Sequence, residues 1–241
     1  MTGILFTIFI AWCIAVLSIF QFVVYLKIKK TILQDWRTLI WIFSLFWFLM
    51  SIVWILVGIN DLFGSLGYTK STFYTQMALQ AIIGLDLLLV WRYLIMRFFS
   101  KRAGIFIFAF FILAVIGYET TLMIFKVIEK PATFFSSQHV LNSYTQIFFA
   151  ILFLPALTLG VIDLVRSFLA SHRNDLGKKF IVMASLSLIM IGIGGAFEQF
   201  EIVAEWRIQL ARLVTLLGAM FAYLAVSNAP QVIKESGDLT V

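Results

Sequence analysis

The 241-residue chain is poor in charge. Asp, Glu, Lys and Arg make up 12% of it and hydrophobic residues 62%, where a soluble domain carries about 25% charged residues and 45–50% apolar ones. A soluble helical bundle needs polar outward faces, and a stretch such as 39–56 has none, so that architecture is excluded. Cysteine is represented by Cys13 alone, which leaves no intramolecular disulfide and no Cys-based metal site. The two histidines, His139 and His172, fall between the hydrophobic runs, which excludes bis-His haem or a His-rich metal centre inside them. No Ser–His pair lies within a hydrophobic run, and no phosphate- or dinucleotide-binding glycine fingerprint occurs. The last hydrophobic run has no lysine to carry a Schiff-base chromophore. The chain is therefore read as a non-enzyme with no cofactor and no metal.

What fills the chain is seven hydrophobic stretches, at about 4–26, 38–59, 73–96, 104–125, 141–165, 180–200 and 207–228. A bilayer core of ~30 Å takes roughly 20 apolar residues in helical form. The expected fold is all-α: a seven-transmembrane-helix bundle over residues 1–228 with a short cytoplasmic tail over 229–241. The first stretch has no basic region before it and no small-residue cleavage site before Lys27, so it is read as a helix of the mature protein. The links are short. The longest, near 126–140, contains Pro131, and Gly64 and Gly67 mark a turn between the second and third stretches. Tyr and Trp gather near the ends of the runs, among them Trp41, Tyr68, Tyr74, Trp91, Tyr118 and Tyr144, where interfacial belts form.

Basic residues set the expected orientation. Three links share Lys27, Lys29, Lys30, Arg37, Arg92, Arg97, Lys101, Arg102, Arg166, Arg173, Lys178 and Lys179, twelve in all. The alternate links hold four: Lys70, Lys126, Lys130 and Arg207. Basic links stay cytoplasmic, so the N-terminus is expected outside and the C-terminus inside. The net charge of +6 is an insertion signal, and no nucleic-acid partner is expected.

Polar residues inside the runs are the functional candidates, because an ionisable group there costs roughly 2.5–3.5 kcal/mol on insertion scales. Asp86 sits six residues before Arg92, hence ~9 Å inside the cytoplasmic boundary, on a face shared with Tyr93 and Arg97. Among Leu, Val and Ile, it is expected as a neutral acid hydrogen-bonded to a neighbouring helix. Gly84-Leu85-Asp86 is half of an intramembrane aspartyl protease motif and lacks the second glycine. Near the other surface Arg212 is too deep to be a boundary arginine. Glu198 is its first expected partner, with Glu201 beside it and Glu119 as the second choice. Gln76, Gln80, Asn142, Tyr144 and Gln146 lie at similar depth and, with these charges, are expected to line an outward-opening polar pocket. The alternative is a buried ion pair that fixes packing. Gly192, Gly194 and Gly195 are expected either there or as points of close helix approach.

Trp91-Arg92-Tyr93 lacks the acid of the G-protein-coupled receptor motif. Trp36, Trp41, Trp47 and Trp54 in the second run, and a last run reading Leu216 to Val226, resemble the seven-helix N-terminal sensor regions of prokaryotic histidine kinases. That resemblance implies a receptor-like sensor in a prokaryotic plasma membrane. It would bind a small or lipidic ligand near its outer face and signal to a cytoplasmic partner. A structural or accessory subunit of a larger membrane complex is the alternative, and a small-solute transporter comes third, since only Pro155 interrupts a run. Expected partners are the lipid bilayer and either that cytoplasmic protein or complex subunits, with a homo-oligomer left open.

The charge asymmetry makes a direct prediction. In intact cells a tag at Val241 should resist external protease and a tag at Met1 should be cleaved; the reverse pattern would overturn the orientation.

Overall fold

Where water is scarce a backbone must satisfy its own hydrogen bonds, and a helix does this within one segment. Every hydrophobic run takes that solution. The computed structural model describes residues 2–28, 34–125, 127–129, 139–170, 175–199 and 205–237. The helices are α1 (Thr2–Ile28), α2 (Gln34–Ser65), α3 (Thr69–Phe98), α4 (Lys101–Phe125), α5 (Ser143–Ala170), α6 (Asp175–Gln199) and α7 (Glu205–Gly237). Six of them contain a segment long and apolar enough to cross a membrane; in α6 the apolar stretch among described residues is Leu186–Phe197.

Three features depart from the sequence reading. The link after α4 contains a short antiparallel pair, β1 (Val127–Glu129) and β2 (His139–Leu141), with Ile128 opposite Val140, in an otherwise all-helical fold. α2 continues past residue 59 to Ser65 and takes Asn60 and Asp61 into the helix. α7 runs on to Gly237, through most of the segment read as a tail. The turn between α2 and α3 is closed by Gly67, whose φ of +77° suits glycine because it carries no Cβ.

The distribution of side chains is inverted relative to a soluble protein. Leu5, Phe9, Phe106, Leu113, Met123 and Leu169 point outward and are each more than 60% exposed or close to it, whereas Thr7, Ser18, Gln21, Ser44, Thr145 and Thr215 are buried to 1% or less. That pattern suits a hydrocarbon surround, where an outward polar group finds no partner. Trp91 and Tyr118, expected in the interfacial belt, are instead wholly buried. The Trp91 indole donates to the Leu152 carbonyl at 2.7 Å and stacks on Phe111.

Each helix packs against its neighbour in sequence, and α7 returns to α1, so the seven form a ring; α3 also touches α5. One core gathers Ile10, Ile14, Trp54, Val57 and Ala219 of α1, α2 and α7. A second gathers Trp91, Phe111, Tyr118 and Leu152 of α3, α4 and α5. Ile83 of α3 packs against both, which makes α3 the common wall. Close approach is achieved with small residues. A Cβ on Gly194 would lie 2.8 Å from the Ala211 carbonyl oxygen and on top of the Thr215 hydroxyl, and one on Gly218 would lie 3.0 Å from the Ser187 carbonyl oxygen. A Cβ on Gly195 meets nothing within 4 Å.

Gly194→Ala should therefore destabilise the bundle by about 1–3 kcal/mol, the usual cost of overpacking, and Gly195→Ala should not. Thermal unfolding in detergent checks this, and equal losses at the two positions would contradict the assigned α6–α7 contact.

Candidate functional site

Two ends of the bundle are distinguished below by α1: the amino end, where α1, α3, α5 and α7 begin, and the carboxyl end, where they finish. Between them, inside the ring, lies a cavity of about 210 Å³ bounded by α2, α3, α5, α6 and α7. Helical periodicity accounts for its walls. On α3 the cavity face is Ile83, Asp86, Leu87, Val90 and Tyr93; on α2 it includes Phe46, Met50, Val53, Trp54 and Val57. Gly160 of α5 and Gly195 of α6 line it as well, and an added Cβ at either meets nothing within 4 Å, so the small residues leave room rather than fill it.

The lining is almost wholly apolar. Asp86 is its one acid, and no Lys, Arg or His belongs to it among the described residues. Asp86 is 5% exposed and Trp54 4%. Neither Oδ1 of Asp86 nor Nε1 of Trp54 has a hydrogen-bond partner among the described residues. Leaving such a group unpaired costs roughly 1–3 kcal/mol, more if it is charged. The expected bond to a neighbouring helix is thus not made by Asp86 Oδ1 among the described residues; the lining side chains from α5 and α6 are apolar, and the one polar group from α2, the Trp54 indole N–H, is itself without a partner.

The face shared by Asp86, Tyr93 and Arg97 divides. Tyr93 shares the cavity wall with Asp86, but its hydroxyl donates to Asp163 of α5. Arg97 also reaches Asp163, with Nη2 3.0 Å and Nε 3.1 Å from Oδ1. This three-residue cluster ties α3 to α5 at the carboxyl end. Arg97 keeps nearly half of its side chain exposed while Asp163 is 11% exposed, so solvent screening limits what the ion pair contributes to stability. Arg92 and Arg166 lie over the rings of Phe108 and Phe98 nearby.

At the amino end Arg212 finds its partner on α2: Nη1 pairs with Asp61 Oδ2, and both side chains are buried. The expected partner Glu119 lies elsewhere, with Oε1 against Gly84 of α3 at a spot where a Cβ would come within 2.6 Å. The Glu198 side chain and Glu201 fall outside the described residues. Gln80 accepts from the Tyr118 hydroxyl at 2.6 Å, linking α3 to α4. Gln76 is buried. Asn142 caps α5 by accepting from the Thr145 N–H at 3.0 Å, and Thr145 donates onward to Thr121 of α4 at 3.2 Å. Gln146 donates to the Leu141 carbonyl at 3.0 Å. Tyr144 faces outward, stacked on Phe125. Of the described residues expected to share an outer pocket, Arg212, Gln80, Asn142 and Gln146 are engaged in separate contacts, Tyr144 faces outward and Gln76 is buried, and none of them lines the cavity.

Asp61 was overlooked because the second hydrophobic run ends at residue 59 while the helix does not. Asp163 was legible as a helical acid, and Tyr93 and Arg97, four residues apart on one face, signalled a common partner that only packing could name. Trp54 counted only as one of four tryptophans in its run.

Breaking the Arg212–Asp61 pair from one side leaves a buried charge, which typically costs 3–5 kcal/mol. Arg212→Leu should incur about that loss, and the double variant with Asp61→Leu should recover most of it. A double-mutant cycle read by unfolding in detergent that gave no coupling would refute the pair.

Compared with known proteins, the chain matches no family model, no curated protein and no solved structure.

Proposed function

We propose that this chain is a receptor-like or sensory seven-helix membrane protein that takes a small or lipidic ligand into its central cavity and signals to a cytoplasmic partner. The single observation that carries this reading is the cavity wall itself: an apolar space of about 210 Å³ whose wall includes Asp86 and Trp54, each with a buried polar atom that has no partner among the described residues. A void that served packing alone would be better closed or wholly apolar. The volume lies below the 300–1,000 Å³ of drug-sized sites and suits a small molecule or one arm of a lipid. The excess of basic residues in the links favours a cytoplasmic carboxyl end, and the sensor-region resemblance supports the plasma membrane of a prokaryote.

The route outward runs along α3. Tyr93 belongs to the cavity wall and at the same time holds Asp163. An occupant that displaces the Tyr93 ring changes that bond, and with it the spacing of α3 and α5 at the end nearest the partner. The ligand thereby biases a specific contact rather than the bundle as a whole, as a switch requires.

Protein purified in mild detergent should carry a bound small molecule or lipid by native mass spectrometry, and Gly195→Phe, which projects a ring into the cavity, should lose it. Spin labels at Met96 and Val165, in a Cys13→Ser background, should change separation when that molecule is removed, and Tyr93→Phe should keep the molecule but suppress the change. An empty cavity, or a chain isolated only as part of a larger complex with unaltered label distances, would favour the accessory-subunit reading instead.

A further inference from the structure

The composition of the cavity wall specifies its occupant more narrowly, given that the cavity is a ligand site as proposed above. Its single acid has no basic residue on the same lining among the described residues. Described cationic side chains on the surrounding helices are engaged elsewhere: Arg92 over the Phe108 ring, Arg97 on Asp163 at the carboxyl end and Arg212 on Asp61 at the amino end. The countercharge for Asp86 therefore has to arrive with the ligand. We infer that the cavity takes a small amine on an apolar body, with Asp86 as its counter-ion.

Three features of the wall favour an amine over an acid or a neutral molecule. An acid would set two carboxyl groups together in a medium of low dielectric with no cation to separate them, which is unfavourable. A neutral molecule gains a hydrogen bond from Asp86 but no charge complement. An amine supplies both, and the pair it forms with Asp86 is neutral overall wherever the shared proton resides, so no isolated charge is buried. The remaining wall is rich in ring faces, from Phe46, Trp54, Tyr93, Phe149 and Phe153, and aromatic faces attract ammonium groups, by more when water is excluded.

The test compares benzylamine with benzyl alcohol and benzoate, three water-soluble probes with one ring and different head groups, on the full-length protein in detergent at neutral pH. Binding is read from the Trp54 indole N–H resonance and from equilibrium dialysis. Benzylamine should bind at least tenfold more tightly than benzyl alcohol, and benzoate most weakly. Asp86→Asn should abolish the preference for the amine, bringing the benzylamine affinity to within about twofold of that for benzyl alcohol. The ranking in the unmodified protein stands as a test even if that variant does not fold. Equal affinities for amine and alcohol, or a preference that survives Asp86→Asn, would overturn the amine assignment and leave the cavity as a ligand site. Binding of none of the three probes would overturn the ligand site itself along with it.

Discussion

Polar atoms in a hydrocarbon surround cannot turn to water, and the architecture follows from how each one is satisfied. Helices absorb the backbone. Most buried side chains then find a partner one helix away: Arg212 on Asp61, Tyr118 on Gln80, Tyr93 and Arg97 on Asp163, Trp91 on a carbonyl of α5. These contacts fasten α7 to α2, α4 to α3 and α5 to α3. They are directional, so they fix which helix faces which, whereas apolar contact between membrane helices is little better than contact with lipid tails.

Asp86 and Trp54 stand apart by their place. Gln21 Oε1 and Ser187 Oγ are also buried without a partner among the described residues, but of these residues only Asp86 and Trp54 belong to the wall of the cavity. A membrane helix tolerates such atoms when something else completes them. This is the physical reason the functional reading moves from the polar amino end, where every described candidate is committed to structure or faces outward, to the apolar middle of the bundle.

α3 connects the two kinds of site. It contributes to both apolar cores, carries Asp86 on the cavity wall, and two turns later presents Tyr93 to Asp163. A ring of helices joined in sequence, with α3 set against α5 across it, puts one helix both on the cavity wall and in the side-chain cluster at the carboxyl end. The small residues at α6 and α7 draw those helices together through Gly194 and Gly218, while Gly195, one position on, leaves space for the cavity.

The sequence by itself determined the helical composition, the near position of each helix, the expected orientation and two of the charges within the helices, Asp86 and Arg212. Those follow from one-dimensional quantities: run length against bilayer thickness, and charge in links. It also established that Arg212 needs a partner from another helix. Which acid answers it was decided by the extension of α2 to Ser65 and its packing beside α7, since Asp61 and Arg212 lie far apart in the chain and close in the ring. In the same way Asp163 rather than Asp86 meets Tyr93 and Arg97 because α5 lies against α3 at that depth. The cavity belongs wholly to the tertiary structure: an empty volume has no residue of its own, and the lack of a partner for Asp86 or Trp54 is a property of every helix around them.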